Sequence, residues 1–137
     1  MSLNNPSSGF FSTPEFQASG LPWVITGSTS NITVINYKFP KVSKSITVHN
    51  LENSSNKFLR VGFTLNGVNG GGGNYYFLVD GGDSLTLDAR VTEVFVRADS
   101  SNTIIFSIYG SLTTIDKKFM PTLTGSIGGT SYWDGVG

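Results

Sequence analysis

The run Ser43–Asn50 (SKSITVHN) sets Ile46 and Val48 on one face of an extended chain and Ser45, Thr47 and His49 on the other. Side chains of a strand alternate faces with a period of two, so this is the pattern of a half-buried β-strand. Lys57–Leu65 (KFLRVGFTL) repeats it, with Leu59, Val61, Phe63 and Leu65 facing one way and Arg60 and Thr64 the other. Gly62 in that run marks a bulge or a close backbone approach. Upstream, Asn31–Phe39 alternates Ile32 and Val34 against Thr33, Ile35 and Tyr37, and stops at Pro40. Downstream come Asn74–Val79 (NYYFLV), Ser84–Arg90 with Leu85, Leu87 and Ala89, and Val91–Arg97 (VTEVFVR). Thr103–Leu112 closes the series with Ile104, Phe106 and Ile108 against Ile105 and Tyr109. Leu21–Thr26 (LPWVIT) supplies an eighth run, which Pro22 confines to a sheet edge or a strand start.

Turn residues separate the runs. Asn66–Gly73 (NGVNGGGG) reads as a long Gly-rich loop, and Asp80–Asp83 (DGGD) as a hairpin turn. No window keeps helical spacing for three turns. Short strands at close, regular spacing predict an all-β domain. Eight of them predict an antiparallel β-sandwich with the strand count of a single jelly roll. The domain is expected over residues 21–115, between an N-terminal arm (1–20) and a C-terminal tail (116–137).

The composition narrows the function. Charged residues make up 13% of the 137-residue chain, about half the usual share of roughly 25%. Nine basic and nine acidic residues cancel. A balanced, charge-poor surface offers no basic stripe for nucleic acid, and it opposes contact between copies only weakly. With no cysteine there is no disulfide, thiolate site or thiol nucleophile. No segment approaches the roughly 18 apolar residues of a membrane helix, so no membrane spanning is expected. The opening MSLNNPSSGFFSTPEF lacks the basic and apolar regions of a signal peptide.

No residue set points to catalysis or to a cofactor. A phosphate cradle needs Lys and Ser/Thr directly after its glycines and a helix to follow. After Gly70–Gly73 come Asn74, Tyr75 and Tyr76, which open a strand. His49 is the only histidine, too little for a zinc site or a nucleophile–base pair. Asp80 and Asp83 flank a turn and are too few for calcium. No pair of carboxylates stands out for glycoside hydrolysis. The acceptor patterns at Asn31 and Asn53 are read as chance matches in an Asn/Ser/Thr-rich chain. The expectation is therefore a protein that is not an enzyme and binds no metal.

Assembly surfaces are the better candidates. Asp88, Arg90, Glu93 and Arg97 form a charged set over two adjoining strands, fit to fix strand register or to line a subunit interface. The arms carry large aromatics: Phe10, Phe11 and Phe16 at one end, Tyr132 and Trp133 at the other. Disordered segments are usually aromatic-poor, so these rings are expected to dock against neighbouring subunits.

Several motifs recur in order and spacing. They are Phe39-Pro-Lys-Val-Ser-Lys-Ser-Ile-Thr-Val, Leu59-Arg-Val-Gly-Phe-Thr with Asn66-Gly-Val, Asn74-Tyr-Tyr-Phe, and Gly110-Ser-Leu-Thr-Thr-Ile with Leu123-Thr-Gly-Ser. In these the chain, from about Phe39 to Ser126, resembles the small single jelly-roll penton (vertex) capsid proteins of large icosahedral double-stranded DNA viruses of algae and other protists. The resemblance implies a virion protein with five copies around each five-fold vertex, a homopentamer in contact with major capsid proteins and other minor ones. It implies no catalytic residue. The competing reading is a receptor- or glycan-binding sandwich, a fibre head or lectin-like module, with Tyr75, Tyr76 and Trp133 gathered in one open groove.

Overall fold

The computed structural model describes residues 20–30, 33–70, 74–100, 102–121, 123 and 136. Its strands are β1 (Leu21–Thr29), β2 (Ile35–Lys38), β3 (Ser43–Asn50), β4 (Leu59–Gly62), β5 (Phe77–Val79), β6 (Ser84–Leu87), β7 (Glu93–Ala98) and β8 (Ile104–Leu112). One five-residue helix, α1 (Leu65–Asn69), and one 3-10 turn (Lys117–Phe119) are the helical pieces among the described residues.

The first sheet has the order β1-β8-β3-β6 and the second β2-β7-β4-β5. Every pairing is antiparallel. Leu21 pairs with Leu112, Ile35 with Val96, Ile46 with Leu87 and Leu59 with Val79. Each of these pairs lies inside the previous one. The chain is thus one long hairpin, folded back between β4 and β5 and rolled into two layers, which is a single jelly roll. Two sheets that each present an apolar inner face bury both against one core.

That core is built from the alternation read above. Ile46 and Val48 of β3, Leu59 and Val61 of β4, Val94, Val96 and Ala98 of β7, and Ile104, Phe106 and Ile108 of β8 are all buried. A fully buried side chain of this size stabilises the fold by about 1.5–3 kcal/mol. At one open edge of the sandwich a chain of rings joins the layers. Trp23 of β1 packs edge-on against Phe39, with centroids 4.8 Å apart, and against Tyr37 of β2 at 6.0 Å. Tyr37 in turn meets Phe106 at 6.0 Å. Burial raises the Tyr37 phenol above its ordinary pKa.

Several local readings change. Lys57–Leu65 gives a strand only over Leu59–Gly62, because Thr64 caps α1 and accepts a hydrogen bond from Gly67 N at 2.9 Å. The expected loop at Asn66–Gly73 therefore begins as helix, ended by Gly70 in the left-handed region at φ 78°. A helix this short has no stability of its own; it is held by Val68, which is fully buried. Asn74–Val79 contracts to Phe77–Val79.

The turn at Asp80–Asp83 is not a hairpin, since β5 and β6 belong to different sheets. Asp83 N donates to Asp80 O at 3.0 Å, and of its glycines Gly82 alone has positive φ, at 85°. The chain passes from one layer to the other there. Gly82 N donates to Asn50 O, and Asn50 N donates to Asp83 O, both at 3.0 Å. The run expected over Asn31–Phe39 contributes Ile35–Lys38, and β1 extends three residues beyond Thr26. Pro22 lies near the start of β1, which is an edge strand.

Candidate functional site

The outer faces of the two sheets differ in charge. Register places Val24, Tyr109, Thr47 and Thr86 in one row across all four strands of the first sheet, and Thr26, Ser107, His49 and Ser84 in the next. Pro22, Ser111 and Ser45 form a third row, and Ser28 stands beside Ile105. None of these outward positions carries Lys, Arg, Asp or Glu; the one such residue in the sheet's strands is Lys44, at the irregularity between Ser43 and Ser45 at the start of β3. Hydroxyls tie the rows together: Thr26 Oγ1 lies 3.0 Å from Ser107 Oγ, and Thr47 Oγ1 3.0 Å from Thr86 Oγ1. Val24, Ile105 and Tyr109 stand exposed among them, at 66%, 46% and 43%. The face arises because the polar half of each period-two run is Ser or Thr where other proteins carry charge. Such a surface sheds water at low cost, because hydroxyls that already bond each other lose little on burial.

The second sheet is the charged one. Its rows read Lys38–Glu93, Asn36–Phe95–Gly62 and Arg97–Arg60–Leu78. Asn36 Nδ2 donates to Glu93 Oε1 at 2.9 Å. Arg60 is fixed from several sides. Its Nε donates to Asp99 Oδ1 at 2.6 Å, its Nη1 to Val68 O at 3.0 Å, and its guanidinium lies 4.3 Å from the Tyr76 ring centroid. Arg97, directly across from it, donates from Nε to Ala98 O at 3.1 Å and from Nη1 to Asn69 Oδ1 at 3.3 Å. Burial and then the charge of Arg60 hold the Arg97 guanidinium below its ordinary pKa.

The expected charged set does not form as one. Asp88 and Arg90 fall in the connection after β6 and are exposed, while Glu93 and Arg97 belong to β7. β6 and β7 lie in different sheets, so these residues do not fix register against one another. Phe10, Phe11, Phe16, Tyr132 and Trp133 lie outside the described residues. His49 is exposed in the uncharged face. Among the described residues no group of three or more His, Cys, Asp or Glu is placed to hold a metal ion. No helix among them is long and apolar enough to cross a membrane.

The Arg60–Arg97 pair went unseen in the sequence. Arg60 between Leu59 and Val61 is plainly an outward residue, but its partner depends on a register between strands 37 residues apart in number, Arg60 and Arg97. Tyr75 and Tyr76 line a shallow cavity of about 220 Å³ with Asn74, Phe77 and Phe63. Tyr75 is 41% exposed, whereas one face of Tyr76 is taken by Arg60.

No protein-family model matches the chain, and no curated protein matches its sequence. Among solved structures it is similar to the crystal structure of the Yersinia pseudotuberculosis-derived mitogen. The TM-score is 0.42 and the identity 11%, over 73% of this chain and 92% of the mitogen chain. At that level the likeness carries no argument about function.

Proposed function

We propose that the protein is a structural capsid subunit that packs side by side with its own copies, as a penton at the five-fold vertices of an icosahedral shell. The observation that carries this reading is the uncharged Ser/Thr face of the β1-β8-β3-β6 sheet, with Val24, Ile105 and Tyr109 exposed on it. A face without charge sets no like-charge barrier against the same chain. Viral capsid and lectin domains are among the uses of the jelly roll, and the sequence resemblance supplies the five-fold vertex and the major capsid proteins as neighbours. A contact that closes after five copies is heterologous, so one patch meets a different patch on the next subunit. The protein then resides in the virion, and its contacts act together around a closed shell, where weak interfaces suffice.

Cryo-electron microscopy of purified particles with this chain located in the map tests the reading. Density for five copies around each five-fold axis is the expected result. Absence of the chain from particles, or its placement only away from the vertices, overturns it.

The receptor- or glycan-binding reading draws on the cavity at Asn74 and Tyr75, where an open ring and an amide stand together. It is the weaker one, because Arg60 covers one face of the neighbouring Tyr76. Saturable binding on a glycan array, lost in Tyr75→Ala, would favour it.

A further inference from the structure

The geometry points to a second contact site, on the opposite face of the sandwich: the Arg60–Arg97 pair receives the carboxylate of an acidic side chain on a protein partner. Like charges directly opposite each other on adjacent strands destabilise a sheet unless something offsets them, and Arg60 and Arg97 are direct partners of β4 and β7. Asp99 pairs with Arg60, through Nε at 2.6 Å, and its charge also reaches Arg97 without an ion-pair contact. Among the described residues no carboxylate lies within ion-pair distance of Arg97. Its acceptors are neutral, and Asn69 O and Oδ1 stand at 3.5 and 3.3 Å, beyond the usual range for such bonds. Among the described residues, the cluster of two guanidiniums and one carboxylate carries one surplus positive charge.

The surroundings favour a protein carboxylate over a free phosphate. Leu78, the direct neighbour of Arg60 on β5 and on the same outer face, is 50% exposed. Arginine and tyrosine are enriched at protein-contact hot spots, and here Tyr76 stacks on Arg60. A single surplus charge matches one carboxylate, which a guanidinium receives in its two-pronged fork. Arg60 is already oriented by Tyr76, Asp99 and Val68 O, so little ordering remains on binding. The inference rests on the assembly reading only in taking the partner to be a protein; it requires no five-fold ring.

The test is an NMR titration of the wild-type protein, following the arginine Nε–Hε signals. The probes are sodium acetate, inorganic phosphate, and two short capped peptides, Leu-Asp-Leu and Leu-Asn-Leu. The expected result is a saturable shift at Arg97 and Arg60 with acetate, at least ten-fold tighter with the Asp peptide and absent with the Asn peptide. Arg90, exposed in the connection between β6 and β7 and outside the β4/β7 ladder, serves as internal control and shifts little. Arg97→Gln should abolish the saturable shift at Arg60, and Arg97→Lys should weaken it at least three-fold while keeping the charge. Equal, linear shifts at Arg90 and Arg97 would overturn the site. Equal response to the two peptides, or phosphate binding ten-fold tighter than the Asp peptide, would overturn the protein carboxylate as ligand. None of these readouts depends on capsid assembly, so failure here is distinct from failure of the vertex assignment.

Discussion

A Cβ placed on Gly62 would lie 2.5 Å from Cγ2 of Val68 and 3.2 Å from Tyr75 O. The helix α1 therefore rests directly on the bare backbone of β4, and Val68 is fully buried by that contact. The glycine expected to mark a bulge or close approach marks the close approach.

Gly62→Ala should destabilise the fold by about 1–3 kcal/mol, the usual cost of overpacking a tight contact. The same substitution in a Val68→Ala background should cost less, because the crowding methyl group is gone. Urea unfolding of the four proteins of this cycle measures the difference. Equal costs in both backgrounds would place the strain elsewhere.

Asn50 is fully buried at the end of β3. Its Nδ2 donates to Lys57 O at 2.7 Å and Val79 O at 2.9 Å, and its Oδ1 accepts from Glu52 N at 3.1 Å. Asn50→Ala removes the partner of three backbone groups, one of them, Val79 O, in a fully buried bond, so a loss of about 2–3 kcal/mol is expected. Asn50→Asp should fare no better, since a carboxylate cannot donate to the two carbonyls. A midpoint within experimental error of wild type for Asn50→Ala would show that water takes over these bonds.

Glu52 carries on the ladder where β3 stops. Its Oε2 accepts from Ile105 N at 3.0 Å, on the β8 segment that β3 no longer covers, and its Oε1 accepts from Lys57 Nζ at 3.0 Å. The Ile105 amide first, and Lys57 second, hold this carboxyl below the ordinary glutamate range. Its folded pKa is depressed, so its stabilisation is present above the unfolded value and is lost as pH falls through the folded one. Wild type should lose stability between about pH 5 and pH 3, the range in which carboxylates titrate. Glu52→Gln should start less stable at neutral pH and show a flatter acid limb. Parallel pH profiles for the two proteins would exclude this contribution.

Thr47 and Tyr109 are cross-strand partners in the uncharged face. Thr47→Lys and Tyr109→Lys should each weaken self-association at least ten-fold, since a charge buried in an interface without a partner costs several kcal/mol. Circular dichroism and the unfolding midpoint should change little, because both side chains point away from the core. Sedimentation velocity over a concentration series reads the association. Unchanged association in both variants would move the contact to another surface.

The period-two runs carried most of the fold, because a strand buried on one face must alternate. Ile46 and Val48, set on one face by the alternation, and Ile104, Phe106 and Ile108, likewise on one face, are all buried. The same alternation fails at Ser43. Counting by twos from His49, Thr47 and Ser45 puts Ser43 on the outer face, yet it is fully buried. A register shift between Ser43 and Ser45 inserts one residue and turns the chain over. Its hydroxyl is satisfied inside, donating to Ala89 O at 2.6 Å and accepting from Val91 N at 3.0 Å. No local pattern announces a bulge whose partners lie more than forty residues away in the chain. The helix α1 hid for a related reason: five residues hold no period, and Val68 became its anchor only by meeting Gly62.

The surfaces divide along the same line. The polar half of β3 and β8 already showed Ser, Thr and His where charge is usual, so the uncharged face was half visible. Its full extent needed the order β1-β8-β3-β6, which sets those halves side by side. The Arg60–Arg97 pair needed the register of β4 against β7, which no single strand encodes.

Leu21 and Leu112 are partners at the open end of the outermost ladder, with every other pairing nested inside. A force drawn between these two residues would load the β1/β8 hydrogen bonds one pair at a time, as a zip opens. A force drawn instead between Thr29 and Leu112, at opposite ends of the same two strands, would load all nine residue pairs together in shear. The β1/β8 ladder is therefore mechanically soft when pulled between Leu21 and Leu112 and stiff when pulled between Thr29 and Leu112.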